Sequence, residues 1–285
     1  MEKIPVRHIH SIAEKTDFLQ DFSIRNIEDL LSGKDMVQDL HRHDFFHILV
    51  LQKGSGFHAV DFTNYEIKDN TVFFVRPGQA HQLEIHAESS GYMIQLNTGF
   101  YASDDKTFYS LLRKTGMQNH YPLDENKFKK ILSALDYIFQ EYKHRNENYT
   151  EIIKANLSIL FVELIRGQTK NPTDKTNLYA QERLEEFQAL LEKHIFIHKQ
   201  TTDYAEMLHL TPYQLNAVTK TLLNKTASEL IVEAVILESK RYLLATPNQV
   251  NQIADYMGYD DVSYFIRFFK KHTGFTPETF RQNFK

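Results

Sequence analysis

The sequence predicts an α+β chain: an N-terminal β-barrel with a helical hairpin, then an all-α C-terminal domain holding two helix-turn-helix units. Three observations predict it. Short β-branched and aromatic runs fill the chain to about residue 97. From residue 124 the apolar residues recur at three- and four-residue steps instead. A polar stretch with Gly and Pro, GQTKNPTDKTN, then separates two textures, so the domains are expected at 1–166 and 178–285 with 167–177 as linker.

The strand runs are FFHILVL (45–51), GFHAVDF (56–62), TVFFVRP (71–77) and GYMIQLN (91–97), each bounded by Gly, Asn, Asp or Pro. Such short, evenly spaced strands suit a small barrel or sandwich. The aromatic set Phe45, Phe46, Phe57, Phe62, Tyr65, Phe73 and Phe74 is mostly core, with one alternating half available to line a cavity. Next, Phe128, Ile131, Leu132, Leu135, Ile138 and Phe139 mark one amphipathic helix, and Ile152, Ile153, Leu157, Leu160, Phe161 and Leu164 a second. The polar HRNEN between them forms the bend. These stripes are wide enough to pack on the barrel and on a second subunit.

Composition narrows the function. With no cysteine, disulfides and thiolate metal sites are excluded. The start, MEKIPVRHIHSIAEK, has no apolar run of signal-peptide length, and nothing approaches the ~18 apolar residues of a membrane span. A cytoplasmic location is expected. Residues 199–285 hold 10 Lys+Arg and 9 Asp+Glu, a balance of +1, so bulk charge alone does not mark a nucleic-acid binder. Local placement must carry that case.

Residues 253–284, IADYMGYDDVSYFIRFFKKHTGFTPETFRQNF, place a short helix, Gly258 at a tight turn, Asp260 or Asp261 as cap, and a second helix. Val262, Phe265 and Phe269 are its core candidates, while Ser263, Tyr264, Arg267 and Lys270 fall on other faces. That suits a helix laid in a major groove, with Arg267 forked to guanine or gripping phosphate. A solvated face on a core helix is the competing explanation. An earlier unit repeats the pattern: a short helix at 204–208, Thr211 as N-cap, Pro212 at the first helical position, Leu215, Val218 and Leu222 inward, and Asn224 at the end. Between them, 227–245 reads as one helix of roughly 28 Å. That is close to the roughly 34 Å of one DNA turn.

Residues 201–281 resemble the AraC family of bacterial transcriptional regulators. The likeness rests on the IA pair at 253, the GY at 258, SYF at 263, RFFKK at 267, the G-F-T-P at 274 and the FR at 280. The resemblance implies DNA-facing positions Tyr213, Asn216 and Ala217 in the first unit and Val262, Ser263 and Arg267 in the second. It also implies phosphate contacts at Lys220, Lys270 and Lys271, and packing of the terminal helix by Thr276, Pro277 and Phe280. The chain departs from the family at Ile236, where many members carry an arginine, and at Ala217, where a longer polar residue is common. The implied partners are operator DNA, a small-molecule effector, a second copy of the chain and, for an activator, RNA polymerase.

In the barrel, LHRHDFFHILVLQKGSG carries His41, His43 and His47, and RPGQAH adds His81. This resembles the two cupin motifs, with His47 where metal-binding members usually place Glu. The cupin-like domain is therefore expected to hold a ligand pocket of His41, His43, His47, Arg76 and His81, with Arg76 pairing an anionic ligand. No cofactor is expected. The same four imidazoles are the alternative metal ligands, for Zn, Fe or Ni. The function expected is a ligand-controlled transcriptional regulator, not an enzyme. The alternative is a metal-dependent cupin enzyme fused to a DNA-binding domain, with Glu84 as candidate base. A third possibility is a constitutive DNA binder whose barrel only dimerises.

Overall fold

The computed structural model describes residues 3–9, 21–97, 100, 106–166 and 175–284. The chain divides into two compact units, Pro5–Thr169 and Lys170–Lys285, the latter joined by Met1–Ile4. The sequence places the first four residues with the barrel, but the apolar Ile4 is buried in the core of the helical unit. Of the expected linker, 167–174 lie outside the described residues, and 175–177 already belong to a helix.

The first unit holds two five-stranded sheets. One runs β1 (Val6–Arg7), β3 (Met36–His43), β8 (Ala80–Ile85), β5 (Gly56–Val60), β6 (Thr63–Glu66). The other runs β10 (His120–Pro122), β7 (Thr71–Val75), β4 (Phe46–Lys53), β9 (Ser90–Leu96), β2 (Phe22–Asn26). The cupin-like domain is thus two sheets of jelly-roll kind, not one closed ladder. Every residue of β4 from Phe46 to Leu51 is buried. The run is continuous because both faces of its sheet are covered. Leu49, Leu51, Phe73 and Met93 meet Leu83 and Ile85 of the other sheet, closed at one end by Ile27 and Leu31 of α1 (Ile27–Leu31). Phe46, Ile48, Val50, Phe74 and Ile94 pack with three helices: α2 (Lys106–Thr115), α3 (Glu125–His144) and α4 (Tyr149–Ile165). The two expected helices are α3 and α4. Asp124 caps α3, and Arg145 ends it in the left-handed region.

The second unit is all helix: α5 (Lys175–His194), α6 (Thr201–Met207), α7 (Pro212–Leu223), α8 (Ala227–Ala245), α9 (Val250–Tyr256), α10 (Val262–Thr273) and α11 (Pro277–Phe284). Capping boxes open α6, α7, α8 and α9. The uninterrupted helix α8 packs against α6, α7, α9, α10 and α11, so both helix-turn-helix units share one core. Phe187, Tyr204, Leu215, Phe265 and Phe269 sit fully buried within it. Arg281 donates to the carbonyls of Leu243 and Asn248, pinning α11 to the end of α8. Among the described residues no helix is long and apolar enough to cross a membrane.

Candidate nucleic-acid interface and ligand pocket

Helices α7 and α10 have the same length and the same punctuation. Thr211 and Asp261 cap them, accepting from Gln214 N–H and Ser263 N–H respectively. Asn224 and Gly274 end them at φ 54° and 82°. The two therefore align residue by residue: Leu215 with Phe265, Ala217 with Arg267, Lys220 with Lys270. In each, two or three side chains anchor one face and the opposite face is free. On α10, Phe265 and Phe269 are buried, Val262 is half-buried, and Ser263, Arg267, Lys270 and Lys271 are exposed. Spacings of three and four residues put those four exposed groups on one face. Arg267 makes only a loose 3.8 Å ion pair with Asp261, both well exposed, so its guanidinium is free to leave for another partner.

On α7, Tyr213, Ala217 and Lys220 are exposed, Tyr213 at 84%. Leu215 and Val218 are inward as expected, but Leu222 is only half-buried and Thr219 takes the deep position. Asn216, expected to face DNA, is half-buried. Its side-chain carbonyl accepts from Ala227 N–H at 2.9 Å, backing the first turn of α8. The turns also differ. Before α10, Gly258 sits at φ 73°, and a Cβ there would lie 2.2 Å from Phe196 O. Before α7 the corresponding residue is His209, at φ 55°. Thr276 is half-buried and begins α11, while Pro277 and Phe280 are buried against α10 and α8.

In the first unit a cavity of about 210 Å³ opens between the sheets, lined by Arg7, Arg25, Gln38, His43, His47 and Gln95, with Leu30, Met36, Phe45 and Met93 as its apolar wall. Of the expected pocket residues, His43 and His47 line it. Arg76 does not: it follows β7 and lies beside Gly116 and Phe74, on the helix side of the strand, and Arg7 and Arg25 supply the cavity's positive charge. Strand alternation explains Glu84 as well. His81, Leu83 and Ile85 point inward from β8, so Glu84 points out and meets His86, not His81.

His41 and His81 face each other across β3 and β8, and His43 follows on the same side as His41. His41 Nε2 stands 3.2 Å from His43 Nε2, and His81 Nε2 is 2.7 Å from His43 Nε2. His58, which the sequence analysis passed over, reaches His81 Nδ1 with its Nε2 at 3.0 Å. Its place opposite the pleat from Phe57, on the face of buried Val60, was readable from alternation. His47 comes from the other sheet and stacks on His43 at 5.1 Å between centroids. Desolvation lowers every member: His41 to about 4, His47 and His58 to about 3, His43 to about 2, and His81 well below the ordinary imidazole range. All five rings are therefore neutral near pH 7.

A family model described as an AraC-like ligand-binding domain matches residues 33–135, and one described as a helix-turn-helix domain matches 204–283. The transcriptional activator RhaS of Escherichia fergusonii is 24% identical over 250 residues, covering 85% of this chain and 87% of that protein. RhaS of Enterobacter sp. (strain 638) is 23% identical over 245 residues, with the same shares covered. Among solved structures, ToxT from Vibrio cholerae strain SCE256, bound to an unsaturated fatty acid, aligns over 92% of this chain and 95% of its own at 18% identity and a TM-score of 0.41.

Proposed function

Because the chain belongs to the AraC-type DNA-binding transcriptional regulators, with a ligand-binding domain ahead of its DNA-binding one, we propose that α10 is its principal reading helix and the inter-sheet cavity its effector pocket. The observation that carries this is the face of α10: Ser263 and Arg267 exposed beside two lysines, on a helix held rigid by Phe265 and Phe269. Arg267 forks to a guanine edge; Ser263 and half-buried Val262 approach neighbouring bases. Lys220, Lys270 and Lys271 neutralise phosphates. Tyr213 and Ala217 approach bases from α7, with Asn216 bracing that helix against α8.

The effector is a small anion. Arg7 and Arg25 offer it charge, Gln38 and Gln95 offer amides, and Phe45, Met36 and Met93 pack its apolar part. An effector controls the protein only by binding the DNA-competent arrangement more tightly than the other. The chain acts as a homodimer through the outer faces of α3 and α4, where Tyr137 and Ile159 are half exposed. It works in the cytoplasm, has no enzymatic step and, by likeness to the RhaS activators, meets RNA polymerase at its promoter.

Selection of bound duplexes from a random library tests this reading. The wild-type chain is expected to enrich a defined sequence with half-sites read by α7 and α10. Arg267→Ala is expected to relax one position of that sequence. Enrichment of no sequence by the wild type would sink the proposal.

A further inference from the structure

The two amide side chains at the start of α7 are already engaged by the protein itself. Gln214 Oε1 accepts from Thr211 N–H at 2.8 Å and from the Thr211 hydroxyl at 3.1 Å, which fills both its lone pairs. Asn216 Oδ1 accepts from Ala227 N–H at 2.9 Å. The second unit shows why Asn216 is held there. Ala227 and Pro277 each begin the helix that follows, three residues after the left-handed ends Asn224 and Gly274. Proline has no N–H to satisfy, and the residue aligned with Asn216 is the aliphatic Ile266. Where the orphan donor exists an amide answers it, and where the donor is missing the amide is missing too. Reading adenine takes both ends of an amide, the oxygen accepting from N6 and the nitrogen donating to N7. Gln214 has no lone pair left for N6, and Asn216 is turned toward α8.

What remains at the reading end of α7 is apolar. Tyr213 and Ala217, four residues apart, share the face opposite buried Leu215 and Thr219. Tyr213 is 84% exposed and Ala217 is exposed beside it, with the cation Lys220 one turn further on. We infer that α7 reads thymine, through the C5-methyl group that this base projects into the major groove. The ring of Tyr213 and the methyl of Ala217 close on that group by apolar contact, which selects the base without a hydrogen bond. Lys220 stays on phosphate and adds no base preference. At the position of Ala217, α10 carries Arg267 and takes guanine. One frame built twice thus selects two base classes, thymine by burial and guanine by charge-assisted hydrogen bonds. The inference rests on the DNA-reading role proposed for α7 and α10, and it adds what α7 recognises.

The test uses the full-length chain and the duplex it enriches from a random library. Ala217→Arg locates the α7 half-site as the place where base preference changes. Arginine is nearly as good a helix former as alanine, and the position is exposed, so the fold is kept. Guanine is expected there over thymine by at least about fivefold. Each thymine of that half-site is then replaced by deoxyuridine, which keeps the base pair and deletes only the methyl. Wild-type binding is expected to fall about threefold to fivefold for each methyl that α7 buries, the worth of one buried carbon. Tyr213→Ala should lose most of that sensitivity and Tyr213→Phe should keep it. A half-site without thymine, or deoxyuridine bound as tightly as thymine, overturns the inference while the enriched sequence still supports the DNA-reading role. Ala217→Arg that changes no preference takes α7 off the bases and overturns it as well. Equal deoxyuridine sensitivity in the wild type and in folded Tyr213→Ala and Ala217→Arg would do the same, since the methyls would then act through the shape of the duplex. Enrichment of no sequence by the wild type overturns both readings together.

Discussion

The two helix-turn-helix units share a frame but not a chemistry. In both, a short helix, a left-handed residue and a twelve-residue helix are set by the same capped geometry. At aligned positions α7 has Ala217 where α10 has Arg267, and α7 commits Asn216 to the N-terminus of α8 where α10 carries Ile266. The comparison teaches that frame and reading are separable. Caps and buried side chains build the motif twice, while the exposed face carries an arginine in α10 and an alanine at the aligned position of α7.

The largest effect should come from the turns. Gly258→Val must displace the Phe196 carbonyl and adopt a left-handed backbone with a branched side chain, costing at least about 2–3 kcal/mol. His209→Gly at the aligned turn should change stability by less than about 1 kcal/mol, since relief of φ strain is offset by added unfolded-state entropy. Urea denaturation of both variants measures this; equal losses would mean that the two turns are not alike in strain. Second, Arg267→Ala should cost about 1–3 kcal/mol of specific DNA affinity and flatten preference at one base. Competition binding with operator variants reads it, and a uniform loss across bases would reassign Arg267 to phosphate. Third, Asn216→Ala should remove about 1 kcal/mol of stability by freeing Ala227 N–H, while base preference stays as in the wild type. A changed preference with unchanged stability would give Asn216 itself a reading role. Smallest, Lys220→Ala and Lys270→Ala should each reduce the salt slope of binding by about 0.9, alike in both units. A change at Lys270 alone would take α7 off the DNA backbone.

These contrasts also mark what the sequence made legible. The helical unit was readable almost residue by residue, because caps such as Thr211 and ends such as Gly274 act within four residues of the backbone they satisfy. The sheets were half readable. Runs rich in branched and aromatic residues marked β4, β5, β7 and β9, but β2 and β10 exist by pairing with β9 and β7 across long stretches of chain. No local pattern announces that. The pocket was hardest. Its arginines come from β1 and β2, remote from the histidines they face, and Arg76 sits next to the right motif on the wrong side. His58 belongs to no spaced motif, and only pleat parity marks it as inward-facing.

Strand β4 has a mechanical meaning. His47 and Leu49 look toward the other sheet, and Ile48 and Val50 look toward the helices of the same unit. A pleat gives each side chain to one side only, so no single residue bridges the cavity and the helical layer. Pressure on the cavity wall therefore passes through as displacement of the strand itself, like load through a diaphragm, and arrives at α3 and α4 spread along their length. A ligand seated in this cavity would act through the shape it imposes on β4 more than through any one contact.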